Sequence, residues 1–180
     1  KIGESVLIFG SGGIGLNMIQ ASKMRSAYPI VAVDLYQSRL ELAKSIGATH
    51  TINSMANDPK VAIKEILKNE KLDVFIDNTG LPQSIELGYE ITKNDGKIIL
   101  VGVPKKGNNV NIFTLPLHFG KVLTGSHGGD TNPSQDIPRY SDLLLNGKLD
   151  LKKLITNTFD LENINMAIDN MRFGETSGRI

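Results

Sequence analysis

The feature that most constrains this chain is Gly10-Ser11-Gly12-Gly13-Ile14-Gly15, which fits G-x-G-x-x-G at Gly10, Gly12 and Gly15. Alone the motif is weak, because a glycine turn that only connects a strand to a helix can look the same. Its setting is more specific. Val6-Leu7-Ile8-Phe9 precedes it, bounded by Gly3 and Gly10, and a continuous apolar run of that length suits a strand buried on both faces. After it, Ile14, Met18, Ala21 and Met24 recur at helical spacing until Pro29. In a dinucleotide site each glycine has a task. The first makes the tight turn, the second lets backbone approach a pyrophosphate without a Cβ in the way, and the third lets helix and strand pack closely. The free N–H groups of the first helical turn, with the positive end of the dipole behind them, then face the anion.

Asp34 follows Gly15 by 19 residues and closes a second apolar run, Ile30 to Val33. In a dinucleotide site a carboxylate at that distance accepts hydrogen bonds from the adenosine ribose hydroxyls. The plainer alternative is a strand-terminal Asp that bonds local backbone N–H groups. Methyltransferases that use S-adenosylmethionine also place a glycine loop after a first strand and an acid after a second. They usually carry an acid just before the first glycine, where this chain has Phe9.

The pattern then repeats. A helix is predicted over about Ser38 to Ile46, stopped by Gly47, then a short strand from His50 to Asn53. Asp58-Pro59 reads as N-cap and first helical residue, with Val61, Ile63, Ile66 and Leu67 as the buried stripe. Strand Asp73 to Asp77 leads to a helix opened by Pro82, with Ile85, Leu87 and Ile91 apolar. Asn94-Asp95-Gly96 reads as a turn and Lys97 to Val101 as a fifth strand. Val110-Asn111-Ile112-Phe113 alternates weakly, an expected exposed edge strand, and Lys121 to Gly125 is a candidate sixth. Beyond about Ser134 the character changes. Ile137, Tyr140, Leu143, Leu144 and Leu145 suggest one helix. Ile164, Ala167, Ile168 and Met171 suggest another, with an irregular stretch from Leu151 to Asp160 between them. Short strands alternating with amphipathic helices imply an α/β fold, a doubly wound parallel sheet.

Composition narrows the function classes. The 180 residues carry 20 Lys and Arg against 19 Asp and Glu, a net charge of +1 that gives no reason to expect nucleic acid or an anionic membrane as partner. No apolar run approaches the ~20 residues of a membrane span, and no secretory leader is evident, so a cytoplasmic location is expected. With no cysteine there is no disulfide, thiol nucleophile or thiolate metal site, and the three histidines, His50, His118 and His127, show no ligand spacing. Lys1 in place of an initiator Met, and an apolar segment just starting at Ile180, suggest a piece of a longer polypeptide.

These residues together resemble the medium-chain dehydrogenase/reductase family, zinc-dependent alcohol and polyol dehydrogenases above all. Lys1-Ile2-Gly3-Glu4-Ser5 and the strand to Gly10 look like the opening of that family's cofactor domain. Gly12 to Gly15, Asp34 and Gly47-Ala48 follow at the familiar places. The resemblance extends through Leu154-Ile155-Thr156 and Gly174 to Ile180, and so covers nearly the whole chain. It implies a sheet of order 3-2-1-4-5-6. Residues 1–130 would form the NAD-binding Rossmann domain, and 131–180 a segment that packs back on it and completes the catalytic domain of an intact enzyme.

The resemblance also implies a set of cofactor-binding residues. Besides Gly10, Gly12, Gly13, Ile14, Gly15, Asp34 and the adjacent Leu35, Arg39 would lie beside the adenosine ribose. Asn78, Thr79 and Gly80 would lie on the adenine side, and Val101, Gly102 and Val103 against the nicotinamide ribose. Gly125, Ser126 and His127 would meet the carboxamide, His127 being otherwise a loop histidine, and Arg179 would sit near the pyrophosphate. No catalytic residue and no metal ligand is assigned to this chain. Zinc, its ligands and the proton relay would lie upstream. The implied partners are NAD(H), a small alcohol or carbonyl substrate in the intact enzyme, and a second copy through an edge strand near residues 109–119. Two alternatives stand beside this reading. One is a zinc-free, NADPH-using quinone-type reductase, which usually has a small residue where Asp34 stands. The other is a non-catalytic dinucleotide-sensing module.

Overall fold

A computed structural model describes all 180 residues. Six parallel strands, β1 (Val6–Phe9), β2 (Ile30–Asp34), β3 (His50–Asn53), β4 (Leu72–Asp77), β5 (Thr92–Leu100) and β6 (Val122–Gly125), form one sheet. Its order is β3-β2-β1-β4-β5-β6, the expected doubly wound arrangement. Helices α1 (Gly13–Met24), α2 (Gln37–Ile46), α3 (Pro59–Ile66) and α4 (Pro82–Ile91) connect the strands as far as β5. After β6 come α5 (Pro133–Leu145) and α6 (Ile164–Arg172). No helix is long and apolar enough to cross a membrane.

Strand pleat divides the core in two. Val6 and Ile8 of β1, with Ile30 and Ala32 of β2, pack under Leu16 and Ile19 of α1 and Leu40, Ala43 and Ile46 of α2. Leu7, Val31 and Val33 face the opposite side and join Phe75, Ile98, Ile63 of α3 and Tyr89 of α4. This burial on both faces is why the strands read as unbroken apolar runs. Helix ends follow the sequence signals: Asp58 accepts from the Lys60 N–H at 2.8 Å, and Gly47 caps α2 at φ +143°.

Three expectations are corrected. β5 begins at Thr92 rather than Lys97; the register jumps from Leu72–Thr92 to Val74–Lys97, so Asn94-Asp95-Gly96 bulges out of the ladder with β4 inside the strand. Gly96 is buried there, and a Cβ on it would come within 2.8 Å of the Asp73 carbonyl oxygen. Val110 to Phe113 forms no strand, so the proposed edge-strand contact near residues 109–119 has no strand to make it. The free edges of the sheet are β3 and β6. Val61 is exposed, and Ile63, Ile66 and Leu67, with Ala62, carry the inner face of α3. The expected helix over Ile164, Ala167, Ile168 and Met171 is present as α6, with Ala167 buried and the other three exposed.

Candidate functional site

The order of the sheet reverses between β1 and β4, and loops leaving the strands there diverge to opposite faces, which opens a crevice at their C-terminal ends. A cleft of about 550 Å³ occupies it. Its wall contains Gly10, Gly12, Gly13, Ile14, Gly15, Asp34, Leu35, Arg39, Asn78, Thr79, Val101, Gly102, Val103 and Arg179, drawn from six separate parts of the sequence. Gly80, Gly125, Ser126 and His127 do not line it. Gly80 lies behind the wall; Gly125 closes β6 and Ser126 and His127 follow it, where the Ser126 N–H donates to Leu100 O at 2.9 Å. Phe9, Val33, Ser54 and Leu81 line it as well, unassigned by the motif reading. Each stands at the end of a strand or at the start of a helix, the signal by which the crevice rule finds them.

The glycines divide by what surrounds them. Gly10 holds φ +95°, and its N–H donates to Val33 O at 2.8 Å. A Cβ on Gly15 would overlap the Gly10 carbonyl oxygen. The Asn78 amide donates to that same oxygen at 3.1 Å and ties the loop to the exit of β4. A Cβ on Gly13 would lie 2.6 Å from the Arg179 guanidinium carbon, which crosses above it. Gly12 is different: nothing lies within 4 Å of the Cβ it lacks. The loop is thus packed on the protein side and bare at Gly12, on the side of the cleft.

Asp34, only 7% exposed, holds this loop from the end of β2. Its carboxylate accepts the Ser11 N–H at 2.7 Å and the Tyr36 N–H at 3.1 Å. The Arg39 guanidinium lies 3.8 Å away, outside hydrogen-bond range but within ion-pair reach. A carboxylate offers about four acceptor sites. Two are filled by backbone, so the local role and the ribose role are compatible on one side chain. Asp34, Arg39 and Arg179 are the charged residues of the wall, and their sum favours an anionic ligand.

The far wall is organised by a residue that motif reading passed over. Asp77, fully buried at the end of β4, accepts Gly80 N–H, Thr79 Oγ1–H and Ser84 Oγ–H, each at 2.7 Å. Its backbone carbonyl accepts the N–H groups of Val101 and Gly102 at 2.8 and 2.9 Å. Gly80 and Gly102 nest backbone on backbone: a Cβ on Gly80 would be 2.7 Å from Val103 O, and one on Gly102 would be 2.6 Å from Thr79 N. An acid closing the fourth strand, mirroring Asp34, was the available signal.

The donor sets can be tested against the groups that the resemblance implies. The bare glycine, the anchored carboxylate and the two guanidinium groups fit a dinucleotide. No three His, Cys, Asp or Glu side chains converge anywhere in the chain, so its residues do not fit a zinc ion.

Comparison with known proteins gives a consistent set of matches. The profile of a family described as zinc-binding dehydrogenase matches residues 13–146. Alcohol dehydrogenase 1 of Pisum sativum is 34% identical over 180 residues, covering 98% of this chain and 47% of the relative. The crystal structure of benzyl alcohol dehydrogenase from Acinetobacter calcoaceticus superposes with a TM-score of 0.90 at 34% identity, covering 98% of this chain and 48% of that one. A Sinorhizobium meliloti protein described as a zinc-binding dehydrogenase, solved bound to NADP, superposes at 0.82 with 26% identity, covering 94% and 49%. The chain spans about half the length of the curated relatives it matches.

Proposed function

The chain belongs to the zinc-binding dehydrogenase family, and we propose that it is the part of an alcohol- or polyol-type dehydrogenase that binds NAD(H) and orients the nicotinamide. The observation that carries this reading is the asymmetry of the glycine loop. Gly15 is a glycine because backbone crowds it and Gly10 because its φ is +95°, whereas Gly12 has an ordinary extended φ and open space before it. A position that needs no Cβ for packing, on a loop that opens α1, is explained by a ligand that must approach backbone.

In this reading the first-turn N–H groups of α1 and Arg179 hold the pyrophosphate, and Asp34 and Arg39 the adenosine ribose. The wall from Asn78 to Thr79 and Val101 to Val103 fixes the rest of the ligand relative to β4 and β5. The dinucleotide, when bound, supplies the acceptor for hydride transfer. Gly125, Ser126 and His127 would reach the nicotinamide end from β6. Residues 1–130 form the cofactor domain, and 131–180 carry apolar faces for the remainder of the enzyme. The metal site and the substrate alcohol or carbonyl lie outside this chain.

A second reading, NADP(H), has a specific observation in its favour. Arg39 stands next to Asp34, where it can offset the carboxylate's repulsion of a 2′-phosphate. Fluorescence titration of the chain with NADH and NADPH separates the two. Gly12→Val tests the cradle itself. The fold has room for the side chain, so the ligand-free stability should fall by only about 1 kcal/mol, the cost of a β-branched residue at the N-cap of α1. NADH affinity should fall at least tenfold. Undiminished binding by the folded variant would show that the loop is not the phosphate cradle.

A further inference from the structure

Residues 174–179 run as a strap across the ribose end of the cleft. The strap is fastened at both ends. Arg179 N–H donates to Leu154 O at 2.6 Å and Thr156 N–H donates to Arg179 O at 2.8 Å, in a parallel bridge between Ile155 and Arg179. At the other end Gly174, at φ +73°, lies flat on the Tyr36 ring, where a Cβ would be 2.6 Å from Cε2. Thr176 between them is 3% exposed. The segment is therefore packed, although it lies at the far end of the chain from the glycine loop.

What the strap holds is Arg39. Its Nε–H donates to the Thr176 carbonyl at 3.2 Å. Its guanidinium carbon lies 4.7 Å from the centroid of the Tyr36 ring. One terminal nitrogen is turned to Asp34 at 3.8 Å. A guanidinium grips a phosphate best through two parallel N–H bonds from one edge of its fork. Here Nε is already used, one face is against tyrosine, and one end of the fork points at a carboxylate. We propose that the strap sets the coenzyme preference of the cleft by clamping Arg39 to Asp34, so that the guanidinium cannot turn to grip the 2′-phosphate that distinguishes NADPH from NADH. Tyr36, Gly174 and Thr176 are positioning residues that act through Arg39.

This inference rests on the dinucleotide reading above, and the test keeps the two apart. The ratio of the NADPH to the NADH dissociation constant is measured by fluorescence titration for the wild type, Tyr36→Phe, Tyr36→Ala, Gly174→Ala and the double variant Tyr36→Ala/Arg39→Ala. Loss of the tyrosine platform should free the guanidinium and lower the ratio about tenfold, the scale of one hydrogen bond to a charged group. Gly174→Ala, which displaces the ring instead of deleting it, should lower the ratio in the same direction. It keeps the test decisive should Tyr36→Ala unfold the chain. Tyr36→Phe, which keeps the ring, should leave the ratio unchanged. In the double variant the gain should vanish, because it needs the freed arginine. Parallel weakening of both ligands with an unchanged ratio, or a gain that survives loss of Arg39, would overturn the proposal. A wild type that binds neither ligand would overturn the dinucleotide reading and this inference with it.

Discussion

The sheet with its first four helices and the segment beyond residue 130 are built from similar amphipathic sequence but bury it very differently. Of the 38 buried residues, four, Leu154, Ala167, Gly174 and Thr176, lie beyond residue 130. The first region stacks helices on both faces of the sheet, and its apolar stripes meet partners. In the second, Ile137, Tyr140 and Leu145 of α5 and Ile164, Met166 and Met171 of α6 are all about half exposed or more. An apolar stripe at helical spacing reports that a helix has a side to bury, not what buries it. Part of what the second region buries lies at the cleft, while Leu154 joins the core beneath α1 and α2. Gly174 and Thr176 are covered by Tyr36 and Arg39, and the pocket wall includes Arg179.

The contrast predicts a graded set of effects. The largest belongs to the first region. Phe75 is fully buried between Phe9 and α4, so Phe75→Ala should cost about 3–5 kcal/mol in urea unfolding. Leu145→Ala, at a site 83% exposed, should stay within about 0.5 kcal/mol. A similar cost at both sites would erase the distinction.

Next is the end of β2 at the cleft. Asp34 is expected to favour NADH over NADPH by roughly 2–4 kcal/mol, the overlapping sum of like-charge repulsion and lost hydrogen bonds less the offset from Arg39. Because Asp34 also holds the Ser11 N–H, Asp34→Ser should lower the stability of the ligand-free chain by about 1–3 kcal/mol as well as admitting NADPH. Equal affinity of the wild type for both coenzymes would refute the role given to Asp34.

The smallest effect lies at the opposite end of the strands, away from the cleft. Burial pushes the Asp73 carboxyl up, but hydrogen bonds from Lys93 and from Ser5 outweigh it and hold the group below its ordinary 3.8. The hydrogen bond to Asp73 raises Lys93 in turn above 10.5. A lowered carboxyl adds stability that is present above its unfolded value and lost as pH falls through the folded one. A raised lysine adds stability that is lost as pH climbs through its folded value. The pair therefore supports the fold from about pH 4 to about pH 10. Lys93 is more than a third exposed, so the contribution is below about 1 kcal/mol. Lys93→Met should flatten the acid limb of the stability curve and leave NADH affinity alone. A change in affinity would mean that the two ends of the sheet are coupled.

How much of this was readable from sequence depends on whether local chemistry or distant pairing decides. The glycine loop and Asp34 were legible because turn, packing and ligand approach each demand a particular residue within a short span. So was the strand order, through the family resemblance. Asn94-Asp95-Gly96 does leave the ladder, but the pairing of Thr92 with Leu72 ahead of it was not legible, because turn propensity is local and β-pairing is not. Val110 to Phe113 had alternation but found no strand partner. Ser54 and Leu81 reach the cleft only because of where β3 ends and α4 begins. Asp77 stayed hidden because its donors, Thr79, Gly80 and Ser84, look like ordinary loop and helix-start residues until the fold turns them inward.

The nested backbones of Gly80 and Gly102 carry one more consequence. Across that wall the spacing is fixed by peptide groups alone, and each glycine is walled in by the main chain of the other's segment. A bulky newcomer at either position cannot be absorbed by a rotamer change, since there is no side chain to turn. Trimming a neighbour does not help either, since the atoms met belong to the main chain of Val103 and Pro104 on one side and of Asn78, Thr79 and Gly80 on the other. The cleft can be retuned along its rim, at Leu35, Ser54 or Leu81, without disturbing its width. At these two points width and sequence are the same quantity, and any residue with a Cβ resets the distance between β4 and β5 at the mouth of the cleft.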